Sequence, residues 1–129
     1  MKYLLDTHTI LWYLFGNERL SKSAKNIIES NVCFYSYASF WEISIKQSKK
    51  KLEFTHTVYE IDEMCRRAGF RKLPITLDDF NRIRNLPFRD NVRHNDPFDR
   101  ILISQALEND LTIVTTDGNI SLYDVKTIW

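Results

Sequence analysis

Apolar residues recur along this chain at two spacings, and the alternation between them lays out a fold. Lys2 to Leu5 is a short apolar strand that stops at Asp6. Directly after it, Ile10, Leu11, Leu14 and Phe15 set an apolar stripe along a helix that Gly16 closes. Ser21 to Ser30 predicts a second helix with Ala24, Ile27 and Ile28 inward, and Val32 to Tyr35 a second strand. Ser39-Phe-Trp-Glu42 has the S-x-x-E form of a capping box and predicts a helix from there to about Lys50. Val58, Ile61, Cys65 and Ala68 place a further helix over 56–68, closed by Gly69. Arg71 to Ile75 is a weak strand, Thr76-Leu-Asp-Asp79 starts a short helix, and 84–95 loses periodicity and is expected to be a loop.

The stretch HNDPFDRILISQALENDLTIVTTD, from His94 to Asp117, has the strongest pattern. Asp96-Pro97 is a helix start, because the Asp oxygen can cap free backbone N–H groups and Pro fits the first helical position. Phe98, Ile101, Leu102 and Ala106 continue at helical spacing, and Glu108 and Asn109 mark the exit. LTIVTTD then has the β-branched character of a buried strand ending on an acid, and Val125 to Trp129 predicts the last strand. Strands therefore alternate with helices, with no hairpin signal to compete. The expectation is α/β, one domain over 1–129, with a mostly parallel sheet of about five strands covered on both faces.

Composition narrows the class without naming a chemistry. A chain of 129 residues can bury a core unaided, and 43% hydrophobic with 27% charged residues is an ordinary globular balance. A net charge of +1 argues neither for nucleic acid nor for membrane, although basic residues gather at 46–51, 66–72, 82–93 and 100. Cys33 and Cys65 sit in apolar contexts without metal-ligand spacing and are expected to be buried, reduced thiols. No apolar run has transmembrane length, and MKYLLDTHT turns acidic too soon for a signal peptide, so a cytoplasmic location is expected.

The acids carry the candidate chemistry. Each has a plain structural role open to it: Asp6 and Asp96 as caps, Glu42 as the last member of its box, Asp99 as a first-turn acid, Asp117-Gly118 as a turn. Their positions taken together suggest more. Asp6 and Asp117 follow strands, and Glu42 and Asp99 lie in first turns of helices. In an open parallel sheet those places share the edge where ligands bind. Carboxylates converging there repel one another unless a cation neutralises them, and an all-oxygen set suits Mg²⁺ or Mn²⁺. Asp96, Thr7 and Thr116 are expected to support the ligands from behind. His8 and His94 flank the acids and are given no catalytic role.

LLDTHTILWYL, SFWEISIK, HNDPFDRILISQA and LTIVTTD, in that order and spacing, resemble PIN-domain proteins, and most of all the VapC-type toxins of bacterial toxin–antitoxin pairs. The resemblance covers essentially the whole chain. It implies an α/β/α sandwich and a Mg²⁺- or Mn²⁺-dependent ribonuclease, usually a homodimer, neutralised by a small antitoxin protein. It maps the acidic quartet onto Asp6, Glu42, Asp99 and Asp117, with no departure at any of the four, and matches Asp96 to an acid common in this subgroup. On charge alone, Arg93 and Arg100 are candidates for RNA phosphate contacts, beside the plainer reading of a solvated surface. Two other functions compete. A Mg²⁺-dependent phosphatase with Asp6 as nucleophile would want an acid two residues on, where this chain has His8. A PIN-like module that only binds RNA or protein would have no reason to keep a self-repelling acidic cluster.

Overall fold

The computed structural model describes residues 1–52, 54–87 and 96–129. Among these residues five strands form one sheet, all parallel: β1 (Lys2–Leu5), β2 (Val32–Ser36), β3 (Arg71–Leu73), β4 (Thr112–Val114) and β5 (Thr127–Ile128), in the order β3-β2-β1-β4-β5. The helices are α1 (Thr7–Leu14), α2 (Lys22–Ser30), α3 (Tyr37–Ser48), α4 (Val58–Arg67), α5 (Leu77–Asn85) and α6 (Pro97–Asn109). Side chains alternate across a strand, and β1 divides the core accordingly. Tyr3 and Leu5 pack into a cluster with Ile10, Ile28, Ile43 and Ile61, whereas Leu4 packs on the other face with Leu102, Ile103, Ile113 and Ile120. The sheet is thus covered on both sides, as the near-continuous apolar strands require.

Most helix boundaries follow the local signals. Ser21 caps α2, and Thr57 and Thr76 each close a capping box, with Glu60 and Asp79. Gly16 takes φ +64 just past α1, a conformation that costs glycine little. One start differs from expectation. The cap of α3 is Ser36, whose hydroxyl accepts from the Ala38 N–H at 3.1 Å, so Ser39 lies inside the helix and Glu42 is no box member. The strand ahead of α3 ends directly in a serine, and Ser36 takes the cap before Ser39 can. The last strand is shorter than Val125 to Trp129, and Arg84 and Asn85 of the expected loop belong to α5. The rest of that loop, from residue 88 to 95, lies outside the described residues.

α6 departs most from a surface helix. From Asp99 to Ala106 every residue is buried, including Ser104 and Gln105. The Gln105 amide donates to the Leu73 and Pro74 carbonyls, both at 3.3 Å, which fastens the end of β3 to the helix. Both cysteines are buried and free, and burial pushes their thiols up, to about 11 for Cys33 and about 12 for Cys65. Among the described residues no helix is long and apolar enough to cross a membrane.

Candidate metal centre

The strand order reverses direction between β1 and β4, and ligands of open α/β sheets bind at the carboxyl ends beside such a reversal. Asp6 follows β1 there. It caps α1 with Oδ1 accepting from the Thr7 N–H at 2.7 Å, while Oδ2 accepts from the Thr115 hydroxyl at 2.8 Å. Asp117 follows β4. Its N–H donates to the same Thr115 oxygen at 3.0 Å, and its Oδ1 accepts from the Asn119 N–H at 2.9 Å. Thr115 therefore ties the acids of two adjacent strands to each other.

The other two acids arrive on helices. The Thr7 hydroxyl donates to Ser39 Oγ at 2.9 Å, which pins the start of α1 to the first turn of α3. Glu42 lies three residues beyond Ser39, so it shares that helical face. It is buried, with Oε2 accepting from Lys46 Nζ at 2.7 Å. Asp99 is the third residue of α6, held there by Asp96, whose Oδ1 accepts from the Phe98 and Asp99 N–H groups at 2.9 and 3.3 Å.

Electrostatics join the four. Asp99 is only 8% exposed, and its carboxyl is pushed up to about 8. Burial is the largest cause, followed by the charges of Asp6, Asp96, Asp117 and Glu42. Asp6 is also raised, by burial first and with Glu42 adding to it, although Thr115 and the Thr7 N–H pull it back. These acids feel one another, as their shared edge of the sheet anticipates.

A hard divalent cation would relieve that strain, and the donor set is all oxygen. Among the described residues, no three of these side chains close around one point. The cluster is therefore open rather than a finished cage. Mg²⁺ keeps several waters and is commonly held by one or two carboxylates, so an open carboxylate edge fits it, and Mn²⁺ likewise takes oxygen donors.

Several expected supporting residues sit otherwise. The hydroxyl that touches Asp6 belongs to Thr115, whereas Thr116 is exposed. Thr115 still pairs with β5 through its N–H, and the pleat that aims it at the acids turns the next residue outward. Thr7 acts on Asp6 through its N–H, while its hydroxyl serves Ser39. Asp96 is a cap and also a charge that Asp99 feels.

Arg100 is corrected as a phosphate contact. It is 5% exposed, and it donates to the Leu86 carbonyl at 2.8 Å and to the Tyr123 hydroxyl at 3.1 Å, so it fastens α6 from within. Arg93 and His94 lie outside the described residues. Lys46 was hidden in a lysine-rich helix tail, and only its i,i+4 spacing from Glu42 could have singled it out.

The PIN domain family matches residues 3–126, and the chain belongs to that family. Solved structures of similar fold include VapBC2 of Rickettsia felis bound to a DNA fragment from its promoter, at 13% identity and TM-score 0.65 over 99% of this chain and 98% of that one. A toxin–antitoxin complex of Klebsiella pneumoniae aligns at 19% identity and TM-score 0.63, over 98% and 96% of the two chains. FitAcB of Neisseria gonorrhoeae gives 19% and 0.63, over 100% and 97%. At these identities the likeness speaks for the fold. No curated protein matches the sequence.

Proposed function

We propose that this PIN-domain protein is a Mg²⁺- or Mn²⁺-dependent endoribonuclease and the toxin of a toxin–antitoxin pair. The observation that carries the nuclease reading is the mutual strain of Asp6, Glu42, Asp99 and Asp117 at one sheet edge, expressed in the raised Asp99 carboxyl. A module that only binds would gain nothing from burying such a cluster. The toxin reading rests on family membership and on the toxin–antitoxin complexes of similar fold.

In this reading Asp6, Glu42, Asp99 and Asp117 are the carboxylates that would hold the ion, one or two of them directly and the others through water. When bound, such an ion steadies phosphoryl charge and makes water a better nucleophile at neutral pH. Thr115 keeps the Asp6 carboxylate aimed along the edge. Lys46 neutralises Glu42 while the edge is otherwise anionic. Asp99 gives up its proton as positive charge enters the cluster. Hydrolysis in which water attacks phosphorus and the 3′-oxygen leaves gives 5′-phosphate and 3′-hydroxyl ends.

Two partners complete the proposal. One is a small antitoxin protein. The other is a second copy of the chain, for which α3 and α5 offer exposed apolar side chains in Trp41, Leu77 and Phe80. The test is brief induction of the protein without an antitoxin, followed by sequencing of cellular RNA ends. Growth arrest with new 5′-phosphate ends at recurring positions is expected. Normal growth and unchanged ends, despite abundant soluble protein, would overturn the reading.

A further inference from the structure

We propose that the outward face of α1 is a track that brings a single RNA strand to the carboxylates, with bases against Trp12, Phe15 and Phe54 and phosphates on Arg19 and Lys51. The proposal rests on the nuclease reading and adds where the substrate lies.

The face begins at the acids. α1 starts from Asp6, and His8, Trp12 and Phe15 follow at spacings of four and three, which puts them on one side of the helix. At 1.5 Å per residue, His8 to Phe15 spans roughly 10 Å, enough for about three stacked nucleotides at 3.4 Å each. His8 is exposed and close enough to Asp6 for its charge to act on that carboxyl. The His8 ring centroid lies 5.7 Å from Trp12, and Phe15 lies 5.3 Å from Phe54. The Arg19 guanidinium stands 6.0 Å from the Trp12 ring.

A cavity of about 340 Å³ opens on this face. Its described lining contains Arg19 and Lys51 and no acid. Aromatic faces beside cations are what a single strand needs, since every base can stack and every phosphate is anionic. A larger cavity of about 450 Å³ lies among Trp41, Ile75, Phe80 and Ile101 of other elements. Among the described residues its one cation is Arg100, which donates to Leu86 and Tyr123. Among the described residues, charge therefore assigns the polyanion to the α1 face.

The test is binding of a short, unstructured, fluorescently labelled RNA in EDTA, where cleavage is suppressed, measured across a range of salt. Arg19→Gln/Lys51→Gln is expected to weaken binding about tenfold and to lower the slope of log affinity against log salt by about 1.4, near 0.7 for each phosphate no longer neutralised. Lys22→Gln/Lys126→Gln removes the same charge elsewhere and keeps the wild-type slope. RNA should also quench tryptophan fluorescence in the wild type and much less in Trp12→Phe. Melting curves confirm that each variant folds.

Wild-type affinity and slope in the Arg19/Lys51 variant would overturn the track. So would a variant that still binds RNA normally but no longer holds an acidic peptide bound by the wild type, since the face would then belong to a protein. The two readings fail separately. A wild type that binds RNA through Arg19 and Lys51 but never cuts it defeats the nuclease and leaves the track. A wild type that cuts RNA, with the KM of the double variant unchanged, does the reverse.

Discussion

Between about pH 4 and about pH 8 the folded chain holds a proton on Asp99 that the unfolded chain has released, because the carboxyl rises from 3.8 to about 8 on folding. The folded state binds more protons across that window, so the ion-free protein must lose stability as pH rises through it. Asp6, also raised, adds in the same direction. The expected loss is on the order of 3 kcal/mol, read as a falling melting temperature in EDTA. Asp99→Asn should flatten much of that slope and melt higher than the wild type at pH 8, and added Mg²⁺ should raise the wild type most at high pH. A wild-type melt that does not fall between pH 5 and 8 in EDTA would count against the clustering. At this scale Asp6, Asp99 and Asp117 could be proposed from the sequence because each follows a strand or starts a helix, whereas Glu42 was reached through a capping box that α3 does not form. Thr115 and Lys46 were not legible. Choosing between Thr115 and Thr116 needs the phase of the pleat at the end of β4, and two adjacent threonines leave that phase open.

Helix starts explain how loosely patterned segments deliver side chains to one edge. α6 begins with a cap, a proline and then Asp99, so Asp96 sets the position of the acid as well as the helix boundary. At pH 5, where Asp99 is largely protonated, Asp96→Ala should cost about 1 kcal/mol through the lost cap, and Asp96→Asn only a few tenths. At pH 8 in EDTA, Asp96→Asn should gain relative to wild type, because one of the charges acting on Asp99 is gone. Equal effects of both substitutions at pH 5 would remove the capping role. The sequence signal for this helix was unambiguous because three features agree within four residues. The start of α3 misled, because Ser36 and Ser39 are both competent caps and the S-x-x-E pattern favoured the second. The burial of α6 on all sides also exceeded the one-sided stripe read from Phe98, Ile101, Leu102 and Ala106. Ser104 and Gln105 are polar by composition, and only the packing of α6 among the sheet, α3 and α5 puts them inside.

The whole molecule turns on the neighbour relation of β1 and β4, which lie far apart in the chain yet pair directly. That pairing sets Asp6 beside Asp117, and the helices on either side bring Glu42 and Asp99. Alternation of strands and helices predicted the parallel sheet, and the general preference for its carboxyl edge is what proposes these acids as a site. The strand order itself had no local signal, since it comes from long-range packing. In the proposed account the exposed apolar residues of α3 and α5 meet a second copy, and the face of α1 with Trp12, Arg19 and Lys51 meets RNA. At the centre stands the carboxylate edge, and its chemistry can be read from one comparison. Purified wild type and Asp99→Asn, both shown to fold, are given the same labelled RNA in Mg²⁺, in Mn²⁺ and in EDTA. The wild type should cut with either metal and not in EDTA, and Asp99→Asn should be slower by about a hundredfold or more. Equal cutting by the two proteins, or cutting by the wild type that EDTA leaves untouched, would contradict a metal-dependent nuclease built on these acids.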